Sequence, residues 1–327
     1  MITTLATFLY NIIFNNIPLL YGTVGEIVTE KSGSLNLGVE GTMAIGAVFG
    51  YIIGCWTNSL LLGVLAAFVF GSLCGALFAF LTVTLQANQN VTGLTITTFG
   101  VGFYFFVGNG LGSDWPVFFE SEAVVKAFEP IHIPFLSDIP FIGKGLFSHN
   151  ILVYLGIAIA VLMWWYLKYT KVGLKLRAIG ENPAAADSVG INITLYKYLN
   201  NMLGSGIMGI GGYYMGLKLS GSFEGTCWIN GYGWISVALV IFANWNTAKA
   251  ILGTLVFGFF NALQVSKGAL AYTFPNVLGW LADIPIQLFQ ALPFIITAIV
   301  LIASSVKKNS KSGEPAAKGL NYFREDR

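Results

Sequence analysis

Residues 22–41 carry Glu26, Glu30, Glu40, Lys31 and Asn36 between two strongly apolar runs. Inside hydrocarbon a carboxylate is costly unless it faces a partner or a watery cavity, where it can take up protons or hold a polar solute. Glu26 and Glu40 are therefore candidates for a polar pathway. If 35–41 is helical, Asn36 joins Glu40 on one face, because residues four apart are helix neighbours. A solvated loop at headgroup depth would explain the same charges.

A second polar patch, Asn88-Gln-Asn-Val-Thr-Gly-Leu-Thr-Ile-Thr-Thr98, opens another apolar run. Thr95 and Thr98 share a helical face there and could line a pathway, although a membrane Thr often bonds its own backbone instead. Asn244, a further candidate for the pathway, and Asn246, with Trp228, Trp234 and Trp245, flank an apolar run near 235–242. Tryptophans so placed read as interfacial anchors, or as a stacking surface for a flat ring.

The elements around these residues are membrane helices. Of 327 residues 55% are hydrophobic and 10% charged, far from the roughly 25% charged of soluble domains. The expected fold is all-α, a polytopic membrane helix bundle of about eight to ten transmembrane helices with broken or re-entrant segments. Apolar runs near 2–24, 39–56, 60–85, 91–111, 151–167, 191–217, 235–242, 251–265 and 286–303 supply them, each crossing needing about 20 residues. The first run lacks a cleavage pattern, so no removable leader is expected. Whether residues 22–41 hide a further crossing decides the side of the N-terminus, and the sequence leaves that open.

Small residues recur at helical spacing: Gly46, Gly50 and Gly54; Gly71 and Gly75; Gly108 and Gly112; Gly212 and Gly216. Membrane helices pack through such faces. The run Gly204-Ser-Gly-Ile-Met-Gly209 matches G-x-G-x-x-G but lies inside an apolar helical run with no strand before it. It reads as a packing face, not a dinucleotide site. No phosphate-binding loop pattern is present. Cys55, Cys74 and Cys227 lie far apart in apolar sequence and read as buried apolar residues. His132 and His149 share one polar loop and read as solvated, so no metal site is expected.

Charge placement gives orientation. Lys168, Lys171, Lys175, Arg177 and Lys197 surround only Glu181 and Asp187, and the tail 307–327 has six basic against three acidic residues. Both segments are expected in the cytoplasm. The loop 113–150, with Asp114, Glu120, Glu122, Glu129 and Asp138 against Lys126 and Lys144, is expected outside. A transmembrane domain over 1–306 and a polar, disordered tail over 307–327 complete the layout.

Within the basic segment 169–191, Asn182 followed by Pro183 is a helix start, Ala184, Ala185 and Ala186 are strong helix formers, and Gly190 is a stop. A helix of about two turns is expected there, either a surface connector or a docking element. The motifs Glu30-Lys-Ser-Gly33, Leu35-Asn-Leu-Gly-Val-Glu-Gly41, Leu176-Arg-Ala-Ile-Gly-Glu-Asn-Pro-Ala-Ala-Ala186 and Gly190-Ile-Asn192 resemble ABC-importer permeases of the sugar, nucleoside and branched-chain amino-acid superfamily. The likeness spans about 18–304 and is nearest to the nucleoside branch served by lipoproteins of the basic-membrane-protein type.

That resemblance implies a non-enzymatic permease subunit in the cytoplasmic membrane of a prokaryote, importing a purine nucleoside or a related sugar. It implies a cytoplasmic ABC ATPase as partner, holding the ATP and Mg while this chain holds no cofactor. It also implies an external substrate-binding lipoprotein and a second, related permease in a heterodimer. The family's docking loop has the form Glu-Ala-Ala-x-x-x-Gly, matched here at Ala185, Ala186 and Gly190. Ala184 stands where the acid is usual, with Glu181 three residues earlier. Glu181, Asn182, Pro183 and Asp187 complete the implied coupling segment, and 88–98 resembles the family's segment near the pathway. The alternative is an ion-coupled secondary transporter using Glu26, Glu40 or Asp283.

Overall fold

The computed structural model describes residues 2–110, 121–137, 139, 142–219, 227–306 and 313–323. Regular structure among them is helical throughout. The chain opens with α1 (Ile2–Phe14) and α2 (Ile17–Glu30), followed by α3 (Val39–Thr57), α4 (Leu60–Ala79, continued by a π-helical turn to Thr84) and α5 (Gln89–Gly110). Short α6 (Glu122–Phe128) and α7 (Ile142–Leu146) lead to α8 (Ile151–Tyr169), then α9 (Lys171–Glu181), α10 (Pro183–Ser188) and α11 (Ile193–Lys218). The end of the bundle is α12 (Tyr232–Phe242), α13 (Thr247–Thr273), α14 (Pro275–Leu278) and α15 (Ile286–Val306). Five of these, α3, α4, α5, α8 and α13, are each long and apolar enough to cross a membrane unaided.

The first two helices settle the N-terminal topology. Thr4 meets Thr273, Asn11 meets Ser266 and Asn16 meets Asn261, while Leu19 packs with Phe257. The partner numbers on α13 fall as those on α1 and α2 rise. One antiparallel descent results, interrupted at Asn15–Asn16, and no extra crossing occurs before α3. Thr4 therefore lies at the end of the bundle opposite Glu30, which sits with Trp245 at the start of α13.

The central helix is α11, packed on α2, α3 and α4. Its glycines are contact points. A Cβ on Gly204 would overlap the Gly25 carbonyl of α2, and one on Gly209 would overlap the Ala67 carbonyl of α4. Gly206 meets Phe68 and Ser72. The dinucleotide-like run thus packs α11 against α2 and α4, as its apolar setting indicates. Gly46, Gly50, Gly54, Gly71, Gly75, Gly212 and Gly216 also meet neighbouring elements closely, and Gly112 lies outside the described residues. Gly209→Val is expected to leave little monodisperse protein after detergent extraction, because the clash is with rigid backbone and overpacking costs about 1–3 kcal/mol or more. Size-exclusion yield against wild type checks this.

Three local expectations change. His149 is buried and stacked on Tyr10 at 4.7 Å, with Nε2 3.1 Å from the Gly145 carbonyl, because α1 and the loop before α8 close around it. Trp228 and Trp245 are core residues; Trp228 packs edge-on against Tyr51 and Tyr104 instead of anchoring at an interface. The tail, expected as disordered from its composition, is held against the bundle over 313–323 by backbone bonds such as Ala317 N–H to Gly180 O (2.9 Å) and Gly319 N–H to Gly33 O (3.0 Å). Cys74 and Cys227 are buried thiols, and Cys55 is partly buried.

Candidate functional site

The polar stretch within residues 22–41 is a break between two helices. α2 ends at Glu30, and α3 starts at Val39. Gly41, near the start of α3, packs directly on the α5 backbone at Ile96 and Gly100. Those residues lie seven or more positions into α5, roughly 10 Å along its axis at 1.5 Å per residue. So α3 begins inside the bundle. Non-helical backbone at such depth requires partners within the protein.

The polar side chains supply them. Glu26 accepts the Asn36 N–H (3.2 Å) and the Thr29 hydroxyl (2.9 Å). Asn36 Oδ1 accepts the Gly38 N–H (2.9 Å). Ser34 Oγ accepts Asn201 Nδ2 of α11 (3.1 Å), and Thr97 of α5 donates to the Leu37 carbonyl (2.9 Å). Glu26, Asn36 and Glu40 are 0%, 1% and 6% exposed.

Glu40 performs a second task. The eleven residues of α12 rise only about 16 Å, half of a bilayer core. This half-helix starts at Gly231, whose φ is +90°, a conformation that suits Gly. Its orphan N-terminal donors, Gly231 N–H and Gly233 N–H, donate to the Glu40 carboxylate at 2.6 and 2.7 Å. A carboxylate at a helix N-terminus is also favoured by the aligned amide dipoles. Gly233 leaves room for it, since a Cβ there would strike the Glu40 backbone. At the other end of α12, Asn244 and Trp245 both take left-handed φ values of 51° and 53°, and the chain turns into α13.

Thr95 and Thr98 belong to a different place. They lie on an outward stripe of α5 with Phe99, Gly102, Phe103 and Phe106, lining an open groove of about 520 Å³. Each hydroxyl donates to its own helix, to Val91 O (2.8 Å) and Leu94 O (3.0 Å), and keeps its acceptor capacity for a ligand. Phe99 and Phe106 present rings to the open side. The structure therefore pairs Glu26 with Asn36 at the break, sets Glu40 on the start of α12, brings Thr95 and Thr98 together on a groove, and leaves Asn244 apart, its Oδ1 accepting the Gly313 N–H of the tail (2.7 Å).

The basic end carries α10, the segment expected to dock a partner. Asn182 caps α10 through Oδ1 to the Ala185 N–H (3.0 Å), Pro183 stands at the first helical position, and Gly190 ends the turn at φ +80°. Ala186 faces inward between Ile179 and Ile193. Asp187 accepts the Tyr322 hydroxyl of the tail (2.9 Å). Glu181, Asn182, Ala184, Ala185, Ser188 and Gly190 are exposed, and Val189 projects with 74% of its surface free.

The tail links these regions. Lys318 lies 3.7 Å from Glu30 and 4.6 Å from the Trp245 ring, whose Nε1 donates to the same carboxylate. Gln89 of α5 donates to Leu320 O (3.3 Å), and Asn321 donates to Gln86 O (2.7 Å). Residues 313–323 thus tie the α2–α3 break, α5, α9 and α10 into one face.

Two interrupted helices deep in an apolar bundle, an aromatic groove carrying two hydroxyls and an exposed short helix between spans describe a transporter subunit. A family model described as the permease component of a branched-chain amino acid transport system matches residues 8–303. The chain belongs to this permease family. The permease is similar to the nucleoside ABC transporter permease protein NupC of Lactococcus lactis, 33% identical with 99% of this chain and 98% of the relative covered. It is also similar to the putative glucose ABC transporter permease protein TsgC13 of Haloferax volcanii, 31% identical with 94% of each covered. Against the guanosine ABC transporter permease protein NupQ of Bacillus subtilis it is 29% identical, over 94% of this chain and 93% of that one. No solved structure matches it.

Sequence reading missed Trp245, Lys318 and Tyr322 as parts of the permease's basic face. A short polar tail gives no periodic signal from which its anchoring bonds could be read. Val189 was not singled out either, because its projection depends on Ala186 turning inward.

Proposed function

We propose that this permease carries a nucleoside, a purine nucleoside first and a related simple sugar second, inward across the cytoplasmic membrane of a prokaryote. A separate cytoplasmic ABC ATPase, holding ATP and Mg, drives the step. The groove on α5 carries this reading. Two hydroxyls at one end and three phenylalanine rings along it suit a solute with a sugar and a flat base, since aromatic faces stack on planar rings. The names of the curated relatives support the same solute class.

In this reading the groove is one wall of a path whose other wall is a second, related permease. A substrate-binding lipoprotein delivers solute at the acidic loop 113–150. The basic face is cytoplasmic, and the exposed surface of α10 with Val189 docks on the ATPase. Motion of α10 reaches the α2–α3 break through Asp187, Tyr322 and the tail. Glu26 and Glu40 brace the helices that line the path.

Energy coupling has a direct test. Cells expressing the whole transporter, treated with a protonophore but kept in ATP, are expected to retain uptake of labelled guanosine, and the purified permease alone is expected to hydrolyse no ATP. Abolished uptake would favour the ion-coupled reading with Glu26, Glu40 or Asp283 as proton carrier.

A further inference from the structure

The basic face holds a cavity of about 670 Å³ that the proposed transport path does not use. Its walls are the π-helical end of α4, the turn after α10, the first turn of α11, and Asn321, Tyr322 and Phe323 of the tail. At α11 the N-cap Asn192 satisfies the Leu195 N–H through Oδ1 (3.0 Å). The N–H groups of Ile193 and Thr194 have no acceptor within the helix, and both residues line the cavity. The 26 residues of α11 add the partial positive charge of a helix N-terminus.

Lys197, one turn further along, lines the same cavity. It is 4% exposed. Among the described residues no hydrogen bond or ion pair engages its ammonium. The carboxylate in the wall, Asp187, is engaged by the Tyr322 hydroxyl at 2.9 Å. A buried ammonium without a counter-charge is unfavourable. Its three donors, together with free helix N-terminal amides, form the donor set that phosphate groups bind. A bare phosphate would fill little of the space, which falls in the range of about 300–1,000 Å³ typical of small-molecule sites. Tyr322 and Phe323 offer flat surface for an organic remainder.

We propose that this cavity binds a small phosphomonoester, its phosphate on Lys197 and the α11 N-terminus and its organic part against Tyr322 and Phe323. That the organic part is a nucleoside rests on the transport reading above; the phosphate subsite does not. Titration of the purified full-length chain with inorganic phosphate, guanosine 5′-monophosphate and guanosine tests it, by calorimetry in phospholipid-free detergent and in phosphatidylglycerol nanodiscs. The monophosphate is expected to bind at least about tenfold more tightly than guanosine, a difference of about 1.4 kcal/mol.

Lys197→Met is expected to remove that preference, and Lys197→Arg to keep part of it. Phe323→Ala, at an exposed position that should not disturb folding, is expected to weaken the monophosphate and leave inorganic phosphate unchanged. Binding of the monophosphate in detergent but not in nanodiscs supports the subsite and identifies a lipid headgroup as its occupant. Binding of inorganic phosphate but not the monophosphate supports the subsite while overturning the nucleotide assignment, and leaves the transport reading to guanosine uptake. No binding of either phosphate by wild type, or binding that Lys197→Met leaves unchanged, overturns the proposal.

Discussion

Glu40→Ala is expected to lower solute uptake by about tenfold or more without reducing membrane insertion. The carboxylate accepts Gly231 N–H and Gly233 N–H at 2.6 and 2.7 Å. Removing it leaves at least two buried donors at the start of α12, each costing about 1–3 kcal/mol when unpaired. Insertion depends on the apolar content of the spans, which the substitution leaves intact. The loss falls on the position of α12 and on the α3–α12 junction, both parts of the proposed path. Glu40→Gln should fall between, since its amide oxygen still accepts but carries no charge to favour the helix N-terminus. Labelled-guanosine uptake, measured beside membrane abundance, checks both variants. Full uptake by Glu40→Ala would mean that α12 is capped by other groups and that Glu40 is a bystander.

The second large effect belongs to α10. Val189→Glu is expected to abolish co-purification of the ATPase with the permease while leaving the permease itself folded. Val189 projects with 74% of its surface free, so the substitution removes no internal contact. A carboxylate placed at the centre of an apolar docking contact must be desolvated without a partner, and truncation or disruption of a central interface residue costs about 2–4 kcal/mol. That is roughly 30-fold to 1,000-fold in affinity. The checks are pull-down of the ATPase and solute-stimulated ATP hydrolysis in the assembled transporter. Unaltered coupling by Val189→Glu would move the docking surface away from the end of α10.

Glu40 and the frame of α10 were legible before the fold, for different reasons, while Val189 was not. Asn182, Pro183 and Gly190 act within a turn or two of their own positions, so a side-chain cap, a first-turn proline and a left-handed stop predict α10 from local chemistry alone. Its observed bounds, Pro183–Ser188, follow those signals. The glycines of α11 were legible as packing positions, because lipid offers little else to draw helices together.

Glu26 and Glu40 were legible only as anomalies. Their partners, Asn36 N–H in one case and Gly231 and Gly233 N–H in the other, lie ten and about 190 residues away. Nothing in the local sequence announces such pairings. The same limit applies to the tail. Its composition predicts disorder because it buries little apolar surface of its own, yet residues 313–323 are held by a surface that α2, α5, α9 and α10 build together. Composition measures what a segment can bury by itself; it is blind to acceptors supplied by the rest of the chain.

The sequence by itself determined that this protein is a membrane bundle with a polar break near its start, which face is basic, and where the short helix α10 lies. These follow from hydropathy, charge placement and capping, all set within a few turns of chain. Only the tertiary structure decided what the break is for. Where two helices stop inside an apolar bundle, their unpaired backbone groups must be met by protein. Side chains distant in sequence meet them: Glu40 closes the start of α12, and Glu26 holds the approach to α3.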